Sequence, residues 1–307
     1  MIGVIGAGAF GLAMATAFGR GGQKVLLWAR DTSQIAQHDL PETVTVTAEI
    51  GALQQTQVIL VCIPMQQLRG FLQSYAETLN GQPLIACCKG LDLVTLKGPT
   101  AQIAQFCPAS TPAILTGPSF AADIIKGMPT ALTLACADDT AGRAMQAQLL
   151  APNLRLYRNA DVIGAELGGA IKNVIAIACG ACIGQGFGES ARAALMTRGF
   201  AEMQRLAAAL GARADTLMGL SGFGDMVLTC TSQQSRNFRY GVALGRGDAF
   251  DGTTTVEGVA TAQAAAALAV RLGVDMPITA MLAAIATGAM PVSDALKQLL
   301  NRPLKPE

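Results

Sequence analysis

Charge, aromatic rings and histidine are all scarce in this chain, and each shortage closes off a class of function. Of 307 residues 14% are charged and 5% aromatic, and His38 is the single histidine. Lys and Arg total 22 against 21 Asp and Glu, a formal charge of +1. So even a balance leaves no electrostatic footprint for nucleic acid or an anionic membrane surface, and an anionic ligand has to be held by a few local charges. No run approaches the roughly 18 uncharged apolar residues of a membrane span, the best being residues 174–183. The N-terminal apolar stretch lacks the basic leader of a signal peptide, so secretion is not expected.

Cysteine is not scarce, but its pattern is uninformative for metals. Cys179 and Cys182 form a C-x-x-C pair with no second such pair and no histidine nearby. Lying in a long apolar stretch, the pair reads as core packing rather than a metal or redox site. The chain is read as a reduced, cytoplasmic protein without a metal. There is no low-complexity linker and no internal repeat.

What is plentiful is small and apolar, with 51% hydrophobic residues and 34 glycines. Short aliphatic runs at 2–5, 25–28, 58–63, 84–88, 113–115, 131–135 and 154–157 alternate with helix-like stretches at 10–21, 66–79, 98–106 and 140–150. That alternation predicts a mostly parallel, doubly wound sheet, because parallel strands need crossover connections. From about residue 160 the pattern turns helical, with runs at 166–184, 191–210, 256–272 and 278–287. The expected fold is therefore an α/β domain over 1–159 followed by an all-α domain over 160–307. Two domains also suit a length above the usual single-domain size.

Gly6, Gly8 and Gly11 form G-x-G-x-x-G between the first strand and the first helix. In that context the first glycine permits the turn, the second lets a pyrophosphate approach the backbone, and the third allows close helix–strand packing. Free N–H groups at the helix start would hold the phosphates. This is the fingerprint of a dinucleotide-binding Rossmann domain. The second strand ends Trp28-Ala29-Arg30-Asp31. Arg30 there favours the 2′-phosphate of NADP, whereas Asp31 is the competing reading for the ribose diol of NAD. NADP(H) is the preferred expectation, with NAD(H) possible.

Five segments, GAGAFG at 6–11, Cys88-Lys89-Gly90, Gly117-Pro118-Ser119-Phe120-Ala121, Glu166 to Asn173, and Gly222-Phe223-Gly224-Asp225 through Ser235-Arg236-Asn237, come in an order and spacing that closely resembles bacterial NAD(P)-dependent glycerol-3-phosphate dehydrogenase. The resemblance spans almost the whole chain. It implies that Lys172 is the proton donor and acceptor and that Lys89 contacts both cofactor and substrate. It places Gly117, Ser119, Asp225, Ser235, Arg236 and Asn237 around the substrate. On the cofactor it places Ala9, Phe10, Arg30, Ala121, Arg236, Thr255 and Glu257, beside the three loop glycines. It further implies a homodimer, a phosphorylated small-molecule substrate, and a supply of glycerol phosphate for phospholipid synthesis. The chain departs from the family's pattern in a shorter segment between Arg30 and Val58, in Met65-Gln66 after Pro64, and in Asp123.

The chemistry of these residues agrees. Hydride reduction of a ketone needs a donor that protonates the oxygen as the alkoxide develops. Lys172, in an otherwise apolar helix with Asp225 supplied from elsewhere, can be tuned for that. Ser235, Arg236 and Asn237 offer a fork of donors suited to phosphate. The plainer readings are a snorkelling Lys172, a turn at Asp225, a polar loop at 235–237, a strand end at Lys89 and a helix cap at Ser119. The rival functions are a related two-domain reductase of β-hydroxyacids or ketoacids, and a nucleotide-sensing Rossmann protein without catalysis.

Overall fold

The structure is a computed structural model that describes residues 1–252, 254–292 and 294–295. Residues 296–307, the end of the second expected domain, lie outside the described residues.

The aliphatic runs fold as one eight-stranded sheet. Its strands are β1 (Ile2–Ile5), β2 (Val25–Trp28), β3 (Val44–Thr47), β4 (Val58–Val61), β5 (Leu84–Ala86), β6 (Pro112–Thr116), β7 (Thr130–Ala135) and β8 (Leu154–Asn159), in the order β3-β2-β1-β4-β5-β6-β7-β8. The first six are mutually parallel, with Ile5 beside both Trp28 and Val61. Every residue of β1, β2 and β4 is buried, as expected of strands covered on both faces. Helices α1 (Ala9–Arg20), α2 (Met65–Leu79), α3 (Pro99–Phe106) and α5 (Asp139–Gln148) supply that cover.

Two features depart from the expected strand pattern. The strand β3 was not anticipated: its Val-Thr-Val-Thr alternation is half-buried at the sheet edge and lacks the unbroken aliphatic run of its neighbours. And β7 runs antiparallel to β6. Between them the chain makes only the short α4 (Ala121–Ile125) and stays at one end of the sheet, so the next strand has to return. That connection keeps Ser119 and Ala121 at the carboxyl edge of the parallel strands.

Beyond β8 the described residues are helical: α6 (Val162–Gly184), α7 (Gly188–Ala209), α8 (Ala214–Met218), a π-turn at Leu220–Gly224, α9 (Asp225–Thr231), α10 (Arg236–Arg246), α11 (Glu257–Leu272) and α12 (Pro277–Ala286). α6 is apolar all round, the pattern of a helix buried at the centre of a bundle. By length and composition it could cross a membrane, but 89% of its most apolar window is buried inside the protein. α10 lies against it through facing glycines. A Cβ on Gly180 would meet the Gly241 Cα at 2.9 Å, and one on Gly241 would meet the Gly180 Cα at 2.9 Å. Glycine is required there because the two backbones touch.

Candidate active site

α6 crosses the carboxyl edge of the sheet. Lys172, in the middle of this helix, is 5% exposed. Its Nζ donates to Asp225 Oδ1 at 2.6 Å and to Thr229 Oγ1 at 2.7 Å. Asp225 is the first residue of α9 and fully buried, not a surface turn. Its other oxygen, Oδ2, accepts from Lys89 Nζ at 2.7 Å. Lys89 follows β5, so one carboxylate bridges an ammonium from the end of a strand and one from α6. Lys89 Nζ also reaches the Gly117 carbonyl at 3.4 Å, which accepts from Ser119 Oγ at 3.1 Å.

Burial disfavours the charged form of Lys172 and lowers its pKa from 10.5 to about 8; the Asp225 charge opposes this and the Lys89 charge adds to it. An amine so poised near neutral pH can both give and take a proton. Thr229 completes its setting by donating to the Asp225 backbone carbonyl at 2.6 Å while accepting from Lys172. Sequence reading missed Thr229. The signal was its i+4 spacing from Asp225, visible only once 225–231 is known to be helical.

The segment Ser235-Arg236-Asn237 is the start of α10, not a loop. Ser235 is buried and caps that helix, its Oγ accepting from Phe238 N at 3.2 Å. Asn237 Nδ2 donates to Asn173 Oδ1 at 2.9 Å, and its Oδ1 accepts from Gly258 N at 3.0 Å, joining α6, α10 and α11 beside Lys172. Part of the expected donor fork is thus committed to packing. Arg236 remains exposed at the helix N-terminus, with the Ser235 hydroxyl proton and one Asn237 amide proton uncommitted.

The nucleotide end is a separate part of the cleft. Gly6 has φ +98°, and a Cβ there would lie 2.7 Å from the Cys62 carbonyl oxygen, so only glycine makes the turn. At Gly8 a Cβ would meet nothing within 4 Å, which leaves the backbone open to a pyrophosphate. Gly8 also starts α1 without a side-chain cap, and no acid stands in the first turn, so the helix end fits an anion. Ala9 is exposed and Phe10 half-buried at that end. A cavity of about 840 Å³ continues from Gly6 and Gly8 past Arg30 and Asp31 to α2. Its wall holds a cluster of Trp28, Phe71 and Tyr75, with ring centroids 5.0 to 5.8 Å apart. The residues present therefore fit a dinucleotide.

Glu257 joins the two ends: burial raises its pKa, and its Oε1 accepts from Met65 N at the start of α2 at 3.4 Å. Thr255 is exposed just before α11, and Ala121 is half-buried at the start of α4. A further buried acid, Glu166 on α6, accepts from Thr100 N at 2.7 Å and so caps α3 of the first domain; sequence reading gave it no function. Burial pushes its pKa up to about 7.

A parallel-sheet nucleotide lobe, a helical lobe, and a buried lysine–carboxylate centre between them define the class of two-domain nicotinamide-dependent dehydrogenases. Within that class the sequence matches the NAD-dependent glycerol-3-phosphate dehydrogenase N-terminus over residues 1–142 and the NAD-dependent glycerol-3-phosphate dehydrogenase C-terminus over residues 161–297. The chain belongs to this family. It is 62% identical to a glycerol-3-phosphate dehydrogenase (NAD(P)+) of Cereibacter sphaeroides, covering 100% of both chains. It is 53% identical to one of Ruegeria sp., covering 100% of this chain and 99% of that one. A solved glycerol-3-phosphate dehydrogenase from Coxiella burnetii superposes with a TM-score of 0.92 at 32% identity, covering 98% of each chain. A ketopantoate reductase from Ralstonia eutropha shares the fold alone, with a TM-score of 0.64 at 15% identity over 96% of this chain and 100% of that one.

Proposed function

We propose that the protein interconverts dihydroxyacetone phosphate and sn-glycerol 3-phosphate with NAD(P)(H). The reading is carried by the buried Lys172 ammonium, held at 2.6 Å by Asp225 and with a pKa near 8, within a family that acts on glycerol 3-phosphate. Gly6, Gly8 and Gly11 would hold the pyrophosphate of the dinucleotide, whose nicotinamide would supply or accept the hydride. Lys172 donates its Nζ proton to the substrate carbonyl oxygen in reduction and takes it back in oxidation. Asp225 keeps that amine and Lys89 together as the negative charge on the oxygen grows, and Thr229 fixes the direction of Nζ. Arg236, with the free protons of Ser235 and Asn237, grips the phosphate at the start of α10, where the helix dipole also favours an anion. Gly117 and Ser119 line the opposite side. Residues 1–159 hold most of the cofactor, and 160–307 supply Lys172, Asp225 and the phosphate grip for the substrate.

We read NADP(H) as preferred and NAD(H) as accepted, because Arg30 lines the cavity at the end of β2. A homodimer is supported by apolar side chains left exposed on the helical half, among them Val270, Phe187 and Leu272. Eight unpaired cysteines suit a reducing, cytoplasmic setting. The test of the activity is loss of NADPH absorbance with dihydroxyacetone phosphate, against a panel of ketoacids. Faster turnover of any ketoacid would overturn the assignment.

A further inference from the structure

A subsite for a ribose 2′-phosphate has to offset a group carrying about 1.5 to 2 negative charges at neutral pH. Three ionisable side chains line the ribose end of the cavity: Arg30, Asp31 and His38. Arg30 and Asp31 are neighbours of opposite sign lining the same cavity, so the acid weakens the pull of the guanidinium on a bound phosphate. Asp31 is held as a carboxylate, its Oδ1 accepting from Ser33 N at 2.9 Å and Ser33 Oγ at 2.7 Å. These two bonds lower its pKa. Arg30 and Asp31 alone would thus leave the subsite near neutral, favouring neither cofactor strongly.

His38 is the residue that can change this. It closes the short 3₁₀ turn Ser33–Gln37, its backbone N donating to the Ile35 carbonyl at 2.9 Å, so its position is set by the turn. Its side chain is exposed and lines both this cavity and a second one of about 660 Å³ behind it. Neither His38 nor Arg30 has an ion pair or a side-chain hydrogen bond among the described residues, so both have donors to give. An imidazole can donate a ring N–H to a phosphate oxygen.

We infer that His38 is a second reader of the 2′-phosphate, acting with Arg30 from the same cavity wall to set the preference for NADP(H) over NAD(H). The inference rests on the reading that Arg30 faces the 2′-phosphate. His38 adds a ring N–H donor beside Arg30 and gives it as a hydrogen bond to a phosphate oxygen. A cofactor without that phosphate gains nothing from it.

The test measures binding rather than turnover. Trp28 is the only tryptophan and stands in the cavity wall, so its fluorescence reports occupancy. NADPH, NADH, adenosine 2′,5′-bisphosphate and 5′-AMP are titrated into the wild type, H38Q, H38K and R30A. H38Q should weaken the two 2′-phosphorylated ligands by about 3- to 10-fold, the size of a partly exposed charge contact, and leave the other two within about twofold. H38K, with a fixed charge, should restore the preference. If R30A loses selectivity and H38Q keeps it, the NADP reading stands and the inference about His38 is overturned. If H38Q weakens all four ligands alike, His38 only shapes the wall, and the inference is likewise overturned. If neither variant changes selectivity, the NADP reading falls with it. If H38Q alone loses selectivity, His38 stands as the reader and the part given to Arg30 falls.

Discussion

Replacing Asp225 by Asn tests the electrostatic core of the proposed mechanism, because one fully buried carboxylate holds two lysines at 2.6 and 2.7 Å. Asn keeps the shape and can still accept a hydrogen bond, but it removes the only negative charge bonded to either amine among the described residues. The Lys172 pKa, already near 8 through burial, then loses its opposing influence and keeps the repulsion from Lys89. An opposite charge at this range is worth about 1 to 3 pKa units, so the Lys172 pKa should fall to about 6. At pH 7.5 the protonated fraction would drop from about three quarters to about 3%, a roughly 25-fold loss of the proton-donating form. The assay is the pH profile of kcat/KM for reduction of dihydroxyacetone phosphate. In the wild type this rate should hold below pH 8 and fall above it; in D225N the fall should move to about pH 6, so the deficit shrinks on acidification. Below about pH 6, where Lys172 still carries its proton, stability should also drop by about 3 kcal/mol, because a buried charge is left without its partner. A folded D225N enzyme whose alkaline limb stays near 8 would refute the reasoning, since Asp225 would then not be governing Lys172.

Other substitutions probe separate parts of the site. Lys172→Ala should lower kcat by about 10²- to 10⁴-fold while Trp28 quenching by NADPH is retained; near-normal kcat would remove Lys172 from the chemistry. Arg236→Ala should raise KM for dihydroxyacetone phosphate by about 10- to 100-fold and barely alter the poor activity on dihydroxyacetone, whereas equal losses on both would mean that Arg236 only supports the fold. For Glu166, burial raises the carboxyl pKa from 4.5 to about 7. The folded protein therefore holds a proton that the unfolded chain releases, and stability present below pH 4.5 should fall by about 3 kcal/mol as pH rises through 7. Glu166→Gln keeps the acceptor for Thr100 N but does not titrate, so denaturant unfolding of this variant should lack that fall; parallel pH curves would exclude the assigned ionisation.

Much of this protein was legible before any coordinates. The glycine loop between an aliphatic run and a helix needs only local backbone physics, a turn that excludes Cβ and an uncapped helix end. The alternation of buried strands with crossovers dictates the parallel sheet, and the all-round apolarity of 166–184 marks a central helix with Lys172 as its anomaly. Besides β3 and Thr229, three further things were not legible. The helices α9 and α10 are hidden locally because Gly241 and Gly245, poor helix formers, sit inside the second; they are tolerated because the α6 backbone lies against them. The direction of β7 depends on a connection that never crosses the sheet. Above all, Asp225 meets Lys172 across 53 positions and Lys89 across 136. Residue type could nominate each of the three, but their pairing is decided by where α6, α9 and the end of β5 come to rest. Only that burial strips water from the amines, shifts the pKa of Lys172 and turns three charged side chains into one proton-handling centre.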